Sequence, residues 1–161
     1  IGFRRTFWVN ILAIVLMSFG IYVDNFPLAL FALIVPFIQA QNFYMKMEPE
    51  YFVWIHKASP NAFLRRKLKL ATWHAILLTS PMIVTMLIFF PMYTHWIVLV
   101  VFVGVMYVLL GAMAKYAFFP HELNVSQQLI IALGIVFPPL CFVLYPYFYS
   151  KSKEALKSFL K

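Results

Sequence analysis

Four histidines and one cysteine are the residues of this sequence that could bind a metal or a haem group. The histidines are His56, His74, His95 and His121, and no two of them lie three or four residues apart. A helix needs that spacing to place two imidazole ligands on one face. The single cysteine, Cys141, stands in an apolar stretch. We therefore expect no metal site, no haem and no other cofactor.

Catalytic nucleophiles and phosphate-binding loops are equally scarce. Ser80 precedes Pro81 inside an apolar stretch. A hydroxyl at such a position bonds to the preceding helical turn beside a proline kink, which is a structural role. The sequence has no phosphate loop of the G-x-x-x-x-G-K-[ST] type. We predict that the chain is not an enzyme and does not hydrolyse ATP by itself.

The composition excludes a soluble domain. Of 161 residues, 64% are hydrophobic and 11% are charged, and the mean hydropathy is +0.87. The net charge of +8 comes from a few clusters of basic residues. Such clusters orient a protein in a membrane, so we expect a lipid bilayer and no nucleic acid as the partner.

Five hydrophobic segments divide the chain into one membrane domain, residues 1–161. Four are candidate spans, at about residues 7–22, 26–40, 70–90 and 96–114, and the fifth is a proline-containing segment at 129–149. Only three residues, among them Asp24 and Asn25, separate the first two, which predicts a tight hairpin. The predicted fold class is all-α, a polytopic helical membrane protein with an amphipathic connector at 43–69 and an amphipathic tail at 150–161.

The distribution of basic residues predicts the orientation, because translocation of Lys and Arg is disfavoured. Arg4 and Arg5 precede the first segment, and the connector holds Lys46, Lys57, Arg65, Arg66, Lys67 and Lys69. We expect the amino terminus and the connector to be cytoplasmic, in a bacterial inner membrane. The opening residues lack a small-residue cleavage site, so we expect no removed signal peptide.

Two adjacent prolines interrupt the fifth segment at Pro138 and Pro139. Each half is long enough for about half of a bilayer core. A re-entrant hairpin would keep the lysine-rich tail on the cytoplasmic side, whereas a kinked single crossing would translocate it. The basic-residue bias favours the re-entrant form, and both forms stay open.

Two short helices are predicted in the connector. Glu48, Pro49 and Glu50 form a helix start, and Tyr51, Trp54, Ile55 and Ala58 follow at helical spacing. Ser59 and Pro60 form a second start, before a basic group made of Arg65, Arg66, Lys67 and Lys69. We interpret the first helix either as an element on the membrane surface or as a docking site for a cytoplasmic partner. The basic group predicts contact with lipid headgroups.

The tail and the fourth span carry two further patterns. Lys153, Lys157 and Lys161 recur every fourth residue beside an apolar strip that includes Leu156 and Leu160, which predicts a helix on anionic lipid. Gly104 and Gly111 share one face of the fourth span and predict close helix packing. We interpret Lys115 and Tyr116 as an interfacial anchor at the end of that span.

The order of these parts resembles the membrane-spanning permease subunit of a six-span, ABC-2-like ABC exporter. The resemblance rests on the hairpin, the stretch from Glu48 to Lys67, the two following spans and the proline-broken segment. It implies a coupling helix that docks on a separate cytoplasmic ATPase, with Tyr51, Trp54, Ile55 and His56 as the docking residues. One crossing of the family is missing and the chain starts at Ile1, which leaves its completeness open.

Two function classes remain at this point. As a permease, the chain would form a transport path between two copies or two different subunits, powered by the ATPase. As a structural or assembly subunit of a larger membrane complex, the same charge-free spans would serve packing alone. An enzyme embedded in the membrane is disfavoured, because the spans hold no acid, base or metal cluster.

Overall fold

The computed structural model describes residues 2–55, 59–121, 123–157 and 159–160, and every regular element in those ranges is helical. The helices are α1 (Gly2–Tyr22), α2 (Phe26–Met45), α3 (Glu50–Trp54), α4 (Pro60–Phe89), α5 (Thr94–Ala117), α6 (Val125–Val136) and α7 (Cys141–Lys157). Two short 3-10 turns, Pro91–Tyr93 and Pro138–Leu140, precede α5 and α7. The expected all-helical fold class is confirmed for these residues.

Three of the described helices are long and apolar enough to cross a membrane. They are Phe26–Met45, Pro60–Phe89 and Pro91–Ala117, the last including the 3-10 turn. Phe7–Tyr22 and Val125–Gly134 are apolar but shorter. The third predicted span continues from the second connector helix without a break, because the basic residues between them have good helix propensity. The membrane class is thus supported by three helices rather than by five segments.

The turn between α1 and α2 begins a close hairpin. Asp24 adopts a positive φ of 51°, which a short polar side chain tolerates better than most. Asn25 caps α2, since its side chain accepts a hydrogen bond from Leu28 N at 3.0 Å. A Cβ atom on Gly20 would lie 2.8 Å from Ala29 N, so glycine allows the two backbones to meet.

Helix α4 contains Ser80 and Pro81, the serine considered above as a catalytic nucleophile and the proline that follows it. Pro81 cannot donate a hydrogen bond to the Leu77 carbonyl. Ser80 Oγ donates to that carbonyl at 2.9 Å instead, and the buried Thr79 Oγ1 donates to Ala75 O at 2.8 Å. Both hydroxyls thus hydrogen-bond to carbonyl groups of the preceding helical turn, as the structural interpretation of this motif expects.

The proline-broken segment turns back along α5. In α6, Gly134 lies against Leu110 of α5. After the break, Tyr145 donates a hydrogen bond to Met106 O, and Ser152 Oγ donates to Met113 O at 2.7 Å. Helix α6 therefore runs antiparallel to α5 and α7 runs parallel to it. With about 18 Å of length, α6 covers roughly half of a bilayer core.

The bundle has two ends, which are named here by one residue each. At the Tyr93 end, Phe26 stacks on Tyr93 with ring centroids 4.3 Å apart. The Glu48 end contains the region from Met45 through α3, the start of α4, the end of α5 and the end of α7. Among the described residues, the candidate docking residues Tyr51, Trp54 and Ile55 and most of the basic residues lie at the Glu48 end.

Candidate functional site

Helix α3 and its C-cap residue Ile55 together expose four large apolar side chains. The exposed fraction is 59% for Tyr51, 54% for Phe52, 60% for Trp54 and 48% for Ile55. The sequence analysis named three of them and missed Phe52, because it assumed a longer helix with one polar face. The helix has five residues, too few to separate two faces. The fourth candidate, His56, lies outside the described residues.

Val53 anchors this exposed helix to the bundle. Its side chain is fully buried and belongs to a cluster with Phe63 and Leu64 of α4, Tyr116 of α5 and Leu156 of α7. The Phe63 and Tyr116 rings meet edge to face, with centroids 5.4 Å apart. Val53 thus shares one apolar cluster with residues of three other helices.

A charged network fixes the segment just before α3. Glu48 Oε2 accepts a hydrogen bond from Lys67 Nζ at 2.8 Å, and Oε1 accepts one from Lys115 Nζ at 2.9 Å. The Tyr116 hydroxyl also donates to Oε1 at 3.2 Å. Lys115 is only 3% exposed, so its ammonium depends on this carboxylate for compensation.

The network keeps Glu48 ionised. Burial alone would raise the pKa of its carboxyl group, but hydrogen bonds from Lys67 and Lys115 and the charges of both lysines lower the pKa below its ordinary value. The sequence analysis expected Lys67 to contact lipid headgroups and Lys115 to be an interfacial anchor. The structure instead pairs both with Glu48. No spacing in the sequence connects these three positions.

The other basic residues at the start of α4 are exposed. Arg65, Arg66 and Lys69 all present their side chains to the surroundings. They therefore have the access that a headgroup contact requires.

The tail packs against the bundle instead of lying apart from it as a surface helix. Leu156 is fully buried and Leu160 is 7% exposed, both in the cluster around Val53. Lys153 lies 5.5 Å from the centroid of the Tyr149 ring, and Lys157 is exposed. Lys161 lies outside the described residues.

The two glycines of α5 face α2. A Cβ atom at Gly104 would lie 2.6 Å from Phe37 Cγ, and one at Gly111 would lie 2.9 Å from Gln41 Cγ. These contacts are within the chain, so both glycines serve the packing of α2 on α5.

The histidines are separated in the described part of the chain. His74 is hydrogen-bonded through Nδ1 to the Tyr44 hydroxyl, and His95 packs against Trp96. Among the described residues, no group of three or more His, Cys, Asp or Glu side chains is placed to hold a metal ion.

No protein-family model, curated protein or solved structure matches this chain. The functional interpretation therefore rests on the contacts at the Glu48 end.

Proposed function

We propose that the chain is a membrane permease subunit of an ATP-driven exporter, with α3 as the docking element for a separate cytoplasmic ATPase. The observation that carries this proposal is the combination of an exposed apolar surface on α3 with a buried Val53 and the hydrogen-bonded Glu48 beside it. Tyr51, Phe52 and Trp54 are each more than half exposed, while Val53 is fully buried. Aromatic side chains are enriched where proteins bind other proteins.

The contacts of Glu48 matter because a coupling element must transmit movement. Glu48 joins the connector to Lys67 of α4 and Lys115 of α5. A displacement of α3 would therefore reach two of the three candidate spans through hydrogen bonds and packed side chains. A helix that only rested on lipid headgroups would not need these contacts with α4 and α5.

The remaining parts of the proposal are consistent with this arrangement. The exporter would lie in a bacterial inner membrane, with its amino terminus, connector and tail in the cytoplasm. The transport path would form between two copies or between two different subunits. Energy would come from the ATPase, because the sequence has no phosphate-binding loop of its own.

Affinity purification of the tagged chain from its native membrane tests the proposal. We expect an ATPase subunit to co-purify. The double variant Tyr51→Ala/Trp54→Ala should reduce the recovery of this ATPase by about tenfold or more, as expected when hot-spot residues of an interface are removed. Trp96→Ala is the matched control, because Trp96 is 48% exposed but follows Tyr93 at the opposite end.

Three results would contradict the proposal. One is a set of co-purifying membrane proteins without an ATPase, which would favour the structural or assembly subunit. The second is equal loss of the ATPase in the double variant and in Trp96→Ala, and the third is unchanged recovery in the double variant.

A further inference from the structure

A groove with two lobes flanks the last turns of α2, on the lateral surface of the bundle. The larger lobe lies between α2 and α4 and has a volume of about 500 Å³. Its walls include Ala40 and Phe43 of α2 and Leu77 of α4. Tyr44 and His74 bring polar atoms into this otherwise apolar lobe.

The smaller lobe lies on the other side of α2, against α1. It has a volume of about 220 Å³ and is lined by Val9, Val35 and Ile38 among others. Gln39 and Phe43 line both lobes. The two lobes therefore adjoin each other, with Gln39 and Phe43 as the ridge between them.

The ridge ends in a positive charge. Gln39 and Phe43 lie at helical spacing along α2. Lys46 comes three residues after Phe43 and also lines the smaller lobe. Lys46 is exposed and directly follows the last residue of α2. It lies at the Glu48 end, where the groove leaves the apolar part of the bundle.

A second positive charge lies on the α4 side. The Tyr44 hydroxyl donates to Leu70 O at 3.4 Å, which fixes the level at which α2 meets α4. Arg66 is exposed and lies one turn before Leu70, and it shares a face of α4 with Leu77 of the larger lobe. Because α2 and α4 are antiparallel, Arg66 and Lys46 both extend beyond that level toward the same end.

We propose that this groove binds one anionic phospholipid, with one acyl chain in each lobe and the phosphate between Lys46 and Arg66. Two apolar lobes on either side of one ridge suit two chains of one molecule. Basic pockets between membrane helices are a known way to bind anionic headgroups, and guanidinium groups match phosphate geometry. The nearby carboxylate of Glu48 is engaged by Lys67 and Lys115, so it leaves the field of Lys46 and Arg66 largely intact.

Titration of the purified full chain in detergent, followed by native mass spectrometry, tests the headgroup assignment. The probes are dioleoylphosphatidylglycerol and dioleoylphosphatidylcholine, which share their chains. We expect tighter binding of the phosphatidylglycerol. Lys46→Gln and Arg66→Gln should each weaken it by about fivefold. They should weaken phosphatidylcholine less, because the choline charge offsets that of its phosphate, and retained phosphatidylcholine binding shows that the variants keep their groove.

Arg65→Gln is the matched control for Arg66→Gln. Arg65 is also exposed but lies about two and a half turns before His74, on the face of α4 opposite His74. We expect this control to bind both lipids as the unmodified chain does. Equal binding of the two lipids would overturn the proposal, because it would show that the headgroup charge is not recognised. Equal weakening by Arg65→Gln and Arg66→Gln would overturn it in favour of general attraction to the basic surface.

A variant in the smaller lobe tests the placement of the second chain. Ile38 is 47% exposed, and Ile38→Trp would fill space in that lobe. We expect weaker binding of dioleoylphosphatidylglycerol and unchanged binding of the single-chain lysophosphatidylglycerol. An equal effect on both lipids, or on neither, would contradict a two-chain site.

Discussion

At the scale of single residues, one carboxylate joins three distant parts of the chain. Glu48 accepts hydrogen bonds from Lys67, Lys115 and Tyr116, and the lysines belong to different candidate spans. Removing the negative charge would leave the Lys115 ammonium buried without compensation. A small chemical change at this carboxylate is therefore expected to have a large structural effect.

We expect Glu48→Gln to lower the free energy of unfolding by about 3 kcal/mol, the lower part of the range for breaking a buried ion pair. The lower part applies because the Glu48 side chain is 29% exposed. Glu50→Gln is the control, since Glu50 is exposed at the start of α3. Reversible unfolding in mixed detergent micelles measures both. Equal stability of the two variants would show that the network is not structurally important.

The same network predicts a dependence on pH. The pKa of Glu48 in the folded chain lies below its ordinary value of 4.5, so its stabilising contribution is fully present above that value and is lost as the pH falls through the folded-state pKa. We expect unfolding curves between about pH 7 and about pH 3 to show a smaller acid-induced loss in Glu48→Gln than in the unmodified chain. An identical loss in both would assign the acid sensitivity to other groups.

At the scale of helices, glycine positions determine how closely α2 approaches α5. A Cβ atom at Gly104 would meet the Phe37 ring at 2.6 Å, whereas the nearest atom at Gly134 of α6 is a Leu110 methyl carbon at 3.3 Å. Phe37 is 1% exposed and has little space to move. The two glycines should therefore respond differently to the same substitution.

We expect Gly104→Ala to destabilise the chain by about 1 to 3 kcal/mol through overpacking. Gly134→Ala should change stability by less than about 1 kcal/mol, because a flexible side-chain end can yield and alanine favours helix. Unfolding in the same micelles compares them. A Gly104→Ala variant as stable as the unmodified chain would mean that α2 and α5 do not pack at this distance.

Several element boundaries were predictable from the sequence because their causes are local. Ser59 caps the helix that begins at Pro60, and the turn at Pro138 and Pro139 lies where the double proline removes backbone donors. The partners of Glu48 were not predictable. They depend on how α4, α5 and the connector meet in space, and charge type alone does not specify which lysine reaches which carboxylate.

The burial of the tail also could not be predicted from the sequence pattern. Leu156 and Leu160 form an apolar strip that fits a lipid surface as well as a protein surface. Only the reversal between α6 and α7 brings that strip to the cluster around Val53. An amphipathic helix shows which face is apolar, but not what covers it.

At the scale of the whole molecule, the fold places the connector and the tail at one end. We expect both to be cytoplasmic, by the basic-residue bias. In a Cys141→Ser background, Arg65→Cys and Lys157→Cys should resist an impermeant maleimide in intact cells. Met92→Cys, at a side chain that is 87% exposed near the opposite end, should be labelled. Labelling of Lys157→Cys from outside, with Arg65→Cys protected, would mean that the last segment crosses the membrane.

The proposed role of α3 as an ATPase docking element is tested most directly by a photo-crosslinking residue at Tyr51, whose side chain is 59% exposed. The same residue at Trp96 controls for general reactivity. After irradiation of native membranes, mass spectrometry identifies the attached molecules. We predict a nucleotide-binding ATPase attached at position 51 and absent at position 96. Attachment at position 51 only to lipid, or to membrane proteins without ATPase sequence features, would contradict the account.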